Sequence, residues 1–299
     1  MYYQTHYQGG AFVSPLPLIG YITHLLIAAF HLNMDGRGVD MVHLNDFPPS
    51  DAYFAPMWPE IAQMQGNGTK VLGMLGGAAA GTYACLTDEY FDIYYPALKD
   101  VITTYNLDGM DLDVEQSVSP QTIGRLIIQL KEDFGDAFII TLAPVASALT
   151  EGGNLSGFNY IDLEANMGQY IDFYNAQFYS GFGTFFPEDQ YISIIEYDQG
   201  IDPGRVTATV LTNAANGGGY VDSDSVVKSI KNLMTKYGTE WGGVGGWEYF
   251  NSTPNSRQPW QWAIKMKAAM ATQKERMVAA REFLEREGRE IMASRSFRL

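Results

Sequence analysis

The stretch Asp108-Gly109-Met110-Asp111-Leu112-Asp113-Val114-Glu115 decides how this chain of 299 residues is read. Side chains alternate between the faces of a strand, so Asp111, Asp113 and Glu115 point one way while Met110, Leu112 and Val114 point the other. The apolar set is expected to pack under helices, which leaves the acidic set facing the interior of the sheet. A row of carboxylates in such a place repels itself and loses water, a cost that suggests a function. Burial and mutual repulsion both raise carboxyl pKa values, so a proton can be shared along the row and Glu115, at its outer end, can act as a general acid.

Working outward, eight short apolar runs have strand character: Tyr2–Tyr7, His24–His31, Val71–Gly76, Gly109–Glu115, Phe138–Val145, Phe173–Tyr179, Val206–Thr212 and Gly243–Phe250. Segments long enough for helices separate most of them. Strand alternating with helix implies parallel pairing, and eight repeats close a (β/α)8 TIM barrel, an α/β fold that carries its active site at the C-terminal ends of the strands. The clearest helices are expected over Asp88–Tyr105, Pro120–Phe134 and Ser223–Tyr237. In the second, Ser119 is placed to cap the first turn, Pro120 suits the first helical position, and Ile123, Leu126, Ile127 and Leu130 form one apolar stripe. Between Thr212 and Gly243 there is room for a glycine-rich loop and one helix, so a single domain with no large insertion and an open groove is expected.

Composition narrows the function classes. The net charge of −15 repels polyanions, so nucleic acid is not an expected partner. The most apolar stretch, Leu16 to Leu32, is interrupted by Thr23 and His24 and falls short of the ~20 residues that span a bilayer, so no membrane segment is expected. Cys85 is the only cysteine and Met1 to His6 lacks a signal-peptide pattern, which points to the cytoplasm for the sequence as it stands, or to secretion if a leader has been removed. From Gln273 to Leu299 seven basic and five acidic side chains carry +2, against −17 for the rest. The expected division is therefore a catalytic barrel over residues 1–272 and a charged helical extension over 273–299, where Met277, Leu284 and Ile291 recur at helical spacing.

Two other uses compete for an acidic row of this kind. Mg²⁺ or Ca²⁺ sites gather oxygens from loops or several strands, and no second acidic cluster accompanies this one, so no metal or other cofactor is expected. A purely structural role would pair the acids with buried Arg or Lys, yet none of the eight runs contains either.

The row also matches, at every position, the short signature Asp-Gly-x-Asp-x-Asp-x-Glu of glycoside hydrolase family 18, which this chain resembles. Leu75-Gly76-Gly77, Gln177-Phe178-Tyr179 and Gly246-Trp247 fall on the third, sixth and eighth runs, where the family carries supporting segments, and the resemblance extends from Tyr2 to about Met270. Within the family the chain is similar to the fungal Endo T type of endo-β-N-acetylglucosaminidase through Val42–Pro49, Leu142–Leu149, Gln177–Gly183 and Gly246–Ser252.

The resemblance implies cleavage of the bond between the two core GlcNAc units of N-glycans, with the substrate's own 2-acetamido oxygen as nucleophile. Glu115 would be the proton donor, Asp113 would orient the acetamide, and Asp111 would hold Asp113 and share its proton. Tyr179 would donate to the acetamido oxygen, Gln177 would add a polar contact and Trp247 an apolar floor. Gly76 and Gly77 would permit close backbone approach, and Asn175 and His31 complete the expected substrate contacts. His24 and His43 show no ligand spacing. The expected partner is a GlcNAc-containing glycan. A chitinase uses the same machinery on a β-1,4-GlcNAc polymer, and a non-catalytic carbohydrate-binding barrel is the other class left open.

Overall fold

The computed structural model describes residues 1–197, 200–272 and 275. Eight parallel strands follow one another in chain order: β1 (Tyr2–Tyr3), β2 (His24–Leu32), β3 (Lys70–Gly76), β4 (Gly109–Asp113), β5 (Ile139–Leu142), β6 (Phe173–Gln177), β7 (Val206–Leu211) and β8 (Val244–Trp247). The Tyr249 N–H donates to the Tyr2 carbonyl at 3.0 Å and brings the last strand beside the first. The chain is a single-domain (β/α)8 barrel, with helices α1 (Met57–Gly66), α2 (Phe91–Thr104), α3 (Pro120–Phe134), α4 (Tyr160–Met167), α5 (Asp189–Ile195), α6 (Ser223–Tyr237) and α7 (Trp260–Met270) around it.

Local chemistry explains the well-defined helices. The Ser119 side chain accepts from the Thr122 N–H at 3.1 Å, satisfying one of the free donors of the first turn of α3. Ile123, Leu126, Ile127 and Leu130 are fully buried, and each such side chain contributes roughly 1.5–3 kcal/mol relative to exposure. Asp222 caps α6 in the same way, accepting from the N–H groups of Asp224 and Ser225. Between β7 and β8 lie a short 3-10 turn (Ala214–Asn216) and α6, with no inserted domain.

The alternation of β4 is realised as expected. Met110, Leu112 and Val114 join the core between strands and helices, while Asp111 and Asp113 are buried on the inner face, where Met74 of β3 lies level with Asp111. Tyr2, Leu26, Ala28, Leu72 and Met74 fill the rest of the interior. The barrel is therefore a packed cylinder whose polar residues are confined to one sector.

Two features differ from the sequence reading. The runs Tyr2–Tyr7 and Gly243–Phe250 are longer than the strands they contain, because the N–H groups of Gln4 and Thr5 turn away from the ladder to the Glu248 carboxylate, at 3.1 and 2.8 Å. A ninth strand, Val42–Leu44, folds back antiparallel on the end of β2, and a small hairpin joins Tyr7–Gln8 to Ala11–Phe12. The charged extension expected over 273–299 lies outside the described residues, Glu275 excepted.

β4 packs against β5 without room for a side chain at Gly109, where an added Cβ would sit 2.2 Å from the Ile139 carbonyl oxygen. Gly109→Ala is therefore expected to destabilise the fold by about 1–3 kcal/mol, read as a lowered midpoint in urea denaturation. An unchanged midpoint would contradict this packing.

Candidate active site

The acidic row is held from three sides of the barrel. Asp111 is wholly buried, and its carboxylate accepts hydrogen bonds from Tyr2 Oη at 2.8 Å, Thr141 Oγ1 at 2.5 Å and Asn175 Nδ2 at 3.0 Å. The strand register dictates part of this set, since Thr141 of β5 is paired with Asp111 of β4 and the two share a face. Burial still pushes the Asp111 carboxyl above its ordinary value, against these donors.

Asp113, one pleat further out, is 5 % exposed. Its Oδ1 accepts from Gln177 Nε2 at 3.0 Å, and the same amide group donates to the Ala143 carbonyl at 2.8 Å and lies 3.4 Å from Glu115 Oε1. Burial, repulsion from Glu115 and from Asp111, and hydrogen bonding to Glu115 hold the Asp113 carboxyl well above the usual carboxylate range. Asp111 thus acts on Asp113 through charge. Its hydrogen bonds go to Tyr2, Thr141 and Asn175, whereas Asp113 pairs with Gln177 and Glu115.

The chain passes close to Asp113 because β3 ends in glycines. Gly76 has a φ of +99°, and a Cβ there would stand 2.4 Å from the Asp113 carbonyl oxygen. The Gly77 N–H donates to that same oxygen at 2.9 Å. Only glycine fits both the left-handed backbone and the contact at Gly76.

Above the row a cavity of about 340 Å³ opens at the C-terminal end of the strands. Asp113, Glu115, Gln177, Tyr179, Trp247, Gly76, Gly77 and His31 all line it. Among the described residues, no protein group hydrogen-bonds the Tyr179 hydroxyl, and burial together with the carboxylates Asp113, Glu115 and Asp111 keeps that phenol protonated. The Trp247 ring lies 5.3 Å from that of Tyr2, and its backbone carbonyl is fixed by the Thr212 N–H at 2.8 Å and Asn216 Nδ2 at 3.1 Å.

One expected residue is placed differently. Asn175 does not line this cavity: it sits beneath it, bonded to Asp111, with its other side toward a cavity at the opposite pole of the barrel. Asp108, the first acid of the signature, accepts from Lys70 Nζ at 3.0 Å and the Val71 N–H at 2.9 Å, and so ties β3 to β4 far from the cavity. Residues that sequence reading missed are Tyr2 and Thr141, which hold Asp111, and Gln4, Phe182 and Asn216 on the cavity wall. Strand pairing carried the signal for Thr141; Tyr2 needed the closure of the barrel. Among the described residues, no cluster of His, Cys, Asp or Glu has the geometry to hold a metal ion, and no helix is long and apolar enough to cross a membrane.

The arrangement offers a proton-holding carboxyl, Asp113, beside Glu115, a phenol free to donate and an indole in the wall, and among the described residues no Lys or Arg lines it. That set suits acid-catalysed cleavage next to a group that supplies its own nucleophile.

No family model matches the sequence. The chain is similar to a fungal endo-beta-N-acetylglucosaminidase from glycosyl hydrolase family 18, at 44% identity over 90% of this chain and 96% of the other, with a TM-score of 0.84. It is similar to the chitinase ChiC from Aspergillus fumigatus at 46% identity over 90% of this chain and 98% of the other, with a TM-score of 0.80. Chitinase Chi52 of Paenibacillus xylanexedens is 32% identical over 37% of this chain, and the match spans 24% of that protein's own length.

The Asp113 shift sets a pH signature. Its folded value lies above the unfolded one of ~3.9, so its contribution to stability is full below that pH and is lost as pH rises toward the folded value. Asp113→Asn removes the loss and is expected to raise Tm by at least about 2 °C at pH 8, and by less at pH 5. A gain equal at both pH values, or a fall at pH 8, would contradict the shift.

Proposed function

The chain belongs to glycoside hydrolase family 18, and on that footing we propose that it is an endo-β-N-acetylglucosaminidase that hydrolyses the GlcNAc-β-1,4-GlcNAc core bond of N-glycans with retention. The observation that carries the reading is the acidic row ending in Glu115 at a cavity floored by Trp247 and faced by Tyr179.

In this reading Glu115 protonates the glycosidic oxygen while the acetamido carbonyl of the −1 sugar attacks C1, forming an oxazolinium; Glu115 then takes a proton from the water that opens it. Asp113 yields the proton of the pair to Glu115, and its carboxylate then accepts a hydrogen bond from the acetamide N–H, orienting it, and offsets the positive charge that develops. Tyr179 donates to the acetamido oxygen, which carries negative character before attack. Gln177 has its amide N–H groups committed to Asp113 and Ala143, so it holds Asp113 in place and presents its carbonyl to the sugar. Trp247 covers the acetyl methyl group and the apolar ring face. Asp111, surrounded by three donors, supplies a fixed negative charge below the pair.

Chitin hydrolysis is the second reading, supported by the 46% identity to a chitinase. The same steps serve both substrates, so the substrates separate them: release of neutral oligosaccharide from a high-mannose glycoprotein supports the first reading, and shortening of chitin oligomers alone supports the second. Under either, Glu115→Gln is expected to cut kcat by about 100-fold or more without change in fold, since positioned acid catalysis contributes 10²–10⁴. Activity within about tenfold of the parent would remove Glu115 from the role of acid.

A further inference from the structure

The loop between β7 and α6 touches two of the proposed substrate-contacting residues at once. Its centre, Asn216 to Gly219, lies between the end of β8, which carries Trp247, and the chain just beyond β6, which carries Tyr179. We infer that Asn216 is a positioning residue for the reaction: through the Trp247 carbonyl it sets how the indole meets the −1 sugar, and through its own loop it ties that setting to the backbone beside Tyr179. The inference rests on the substrate-assisted mechanism above and on neither of the two candidate substrates in particular.

Trp247 is the last residue of β8, where the ladder runs out. Its carbonyl accepts from the Thr212 N–H at 2.8 Å and from Asn216 Nδ2 at 3.1 Å, while the Thr212 hydroxyl goes to the next carbonyl, that of Glu248, at 2.6 Å. A carbonyl oxygen has two lone pairs, so two donors of this kind fix the peptide plane from two directions. The Cα–Cβ bond of Trp247 leaves the backbone at an angle set by that plane, and the indole follows it. Without Asn216, the plane loses one of its two holds.

Asn216 is itself held in place. Its Oδ1 accepts from Asn251 Nδ2 at 2.6 Å, and the Asn251 carbonyl accepts from Asn213 Nδ2 at 2.8 Å. Asn213 also caps the turn Ala214–Asn216, accepting from the Ala215 N–H at 2.9 Å. An amide that served only the shape of its own loop would bond within it. The Asn216 amide spends its bonds outside, on Trp247, Thr212 and Asn251.

The far end of the loop reaches Tyr179. The Gly218 carbonyl accepts from the Ser180 N–H at 2.8 Å. Gly219 has a φ of +83°, and a Cβ there would stand 3.2 Å from both Tyr179 Cα and the Ser180 nitrogen, so the loop lies this close because it carries no side chain at that point. Floor and phenol come from different strands, β8 and the end of β6, and one loop sets their spacing. Attack of the acetamide on C1 needs that spacing, since a misplacement of ~1 Å can cost about 10²-fold in rate. Sugars bound beyond the −1 position do not depend on it, so the effect belongs to kcat.

The test is steady-state kinetics of the full chain, on whichever of the two substrates the parent cleaves, with Asn216→Ala, Trp247→Ala and the two combined. Asn216→Ala alone is expected to lower kcat about tenfold with KM changed by less than about threefold, and to lower kcat by less than about threefold when added to Trp247→Ala. A residue that merely supported the fold would cost the same with or without the indole. Gly219→Ala presses on the Tyr179 backbone from the other end of the loop and is expected to show the same split between kcat and KM. Unchanged kcat in Asn216→Ala, or a loss of equal size in both backgrounds, overturns the positioning role and leaves the mechanism standing; unchanged kcat in Gly219→Ala overturns the link to Tyr179. A parent chain that turns over neither substrate overturns the mechanism on which the inference rests.

Discussion

The structure is organised around the cost of burying two carboxyl groups, Asp111 and Asp113, within a closed barrel beside a third, the half-buried Glu115. Each loses hydration and each repels its neighbours, so the interior must supply either donors or protons. It supplies donors to Asp111, through Tyr2, Thr141 and Asn175, and leaves Asp113 to keep its proton, held well above the usual carboxylate range by burial and by its acidic neighbours. That division turns a row of like groups into a donor-satisfied carboxyl below and a proton-holding one, Asp113, above it. The remaining inner strands are filled with Leu26, Ala28, Leu72 and Met74, which concentrates the polarity on one side of the cavity.

Positioning follows from the same constraint. The carboxyls must stand at a set depth, and the backbone at that depth is fixed by contacts tolerating almost no change: the Gly77 N–H on the Asp113 carbonyl, and Gly76 where a methyl group would collide with it. On the far wall Glu248 gathers Gln4, Thr5 and the end of β8, so the segment that carries Gln4 into the cavity and the strand that carries Trp247 move as one. Its own carboxyl is pushed up by burial and is offset by those donors. Site precision here comes from strands and their immediate ends, whose geometry the barrel enforces, and from few loop residues.

Much of this was legible in the sequence because two periodicities carry it. Period-two alternation from Asp108 to Glu115 marked the buried acids and their apolar partners, and the 3.6-residue stripe of Ile123, Leu126, Ile127 and Leu130 located a covering helix to the residue. Contacts between distant segments were not legible. That Tyr2 reaches Asp111 across the barrel, that Asn175 faces down to Asp111, and that Glu248 captures the chain after β1 all depend on closure, which no local pattern encodes. The antiparallel return of Val42–Leu44 was missed for a related reason: three residues give too little alternation to read.

The central claim is that one protein carboxyl donates the proton while the substrate's acetamide does the work of a nucleophile. The direct measurement is the anomeric configuration of the first-formed reducing GlcNAc, followed by proton NMR during hydrolysis of a β-1,4-linked GlcNAc substrate before mutarotation sets in. Attack by the acetamide followed by water gives two inversions at C1, so the account predicts the β-anomer first. Initial appearance of the α-anomer would mean a single displacement by water, which would contradict it.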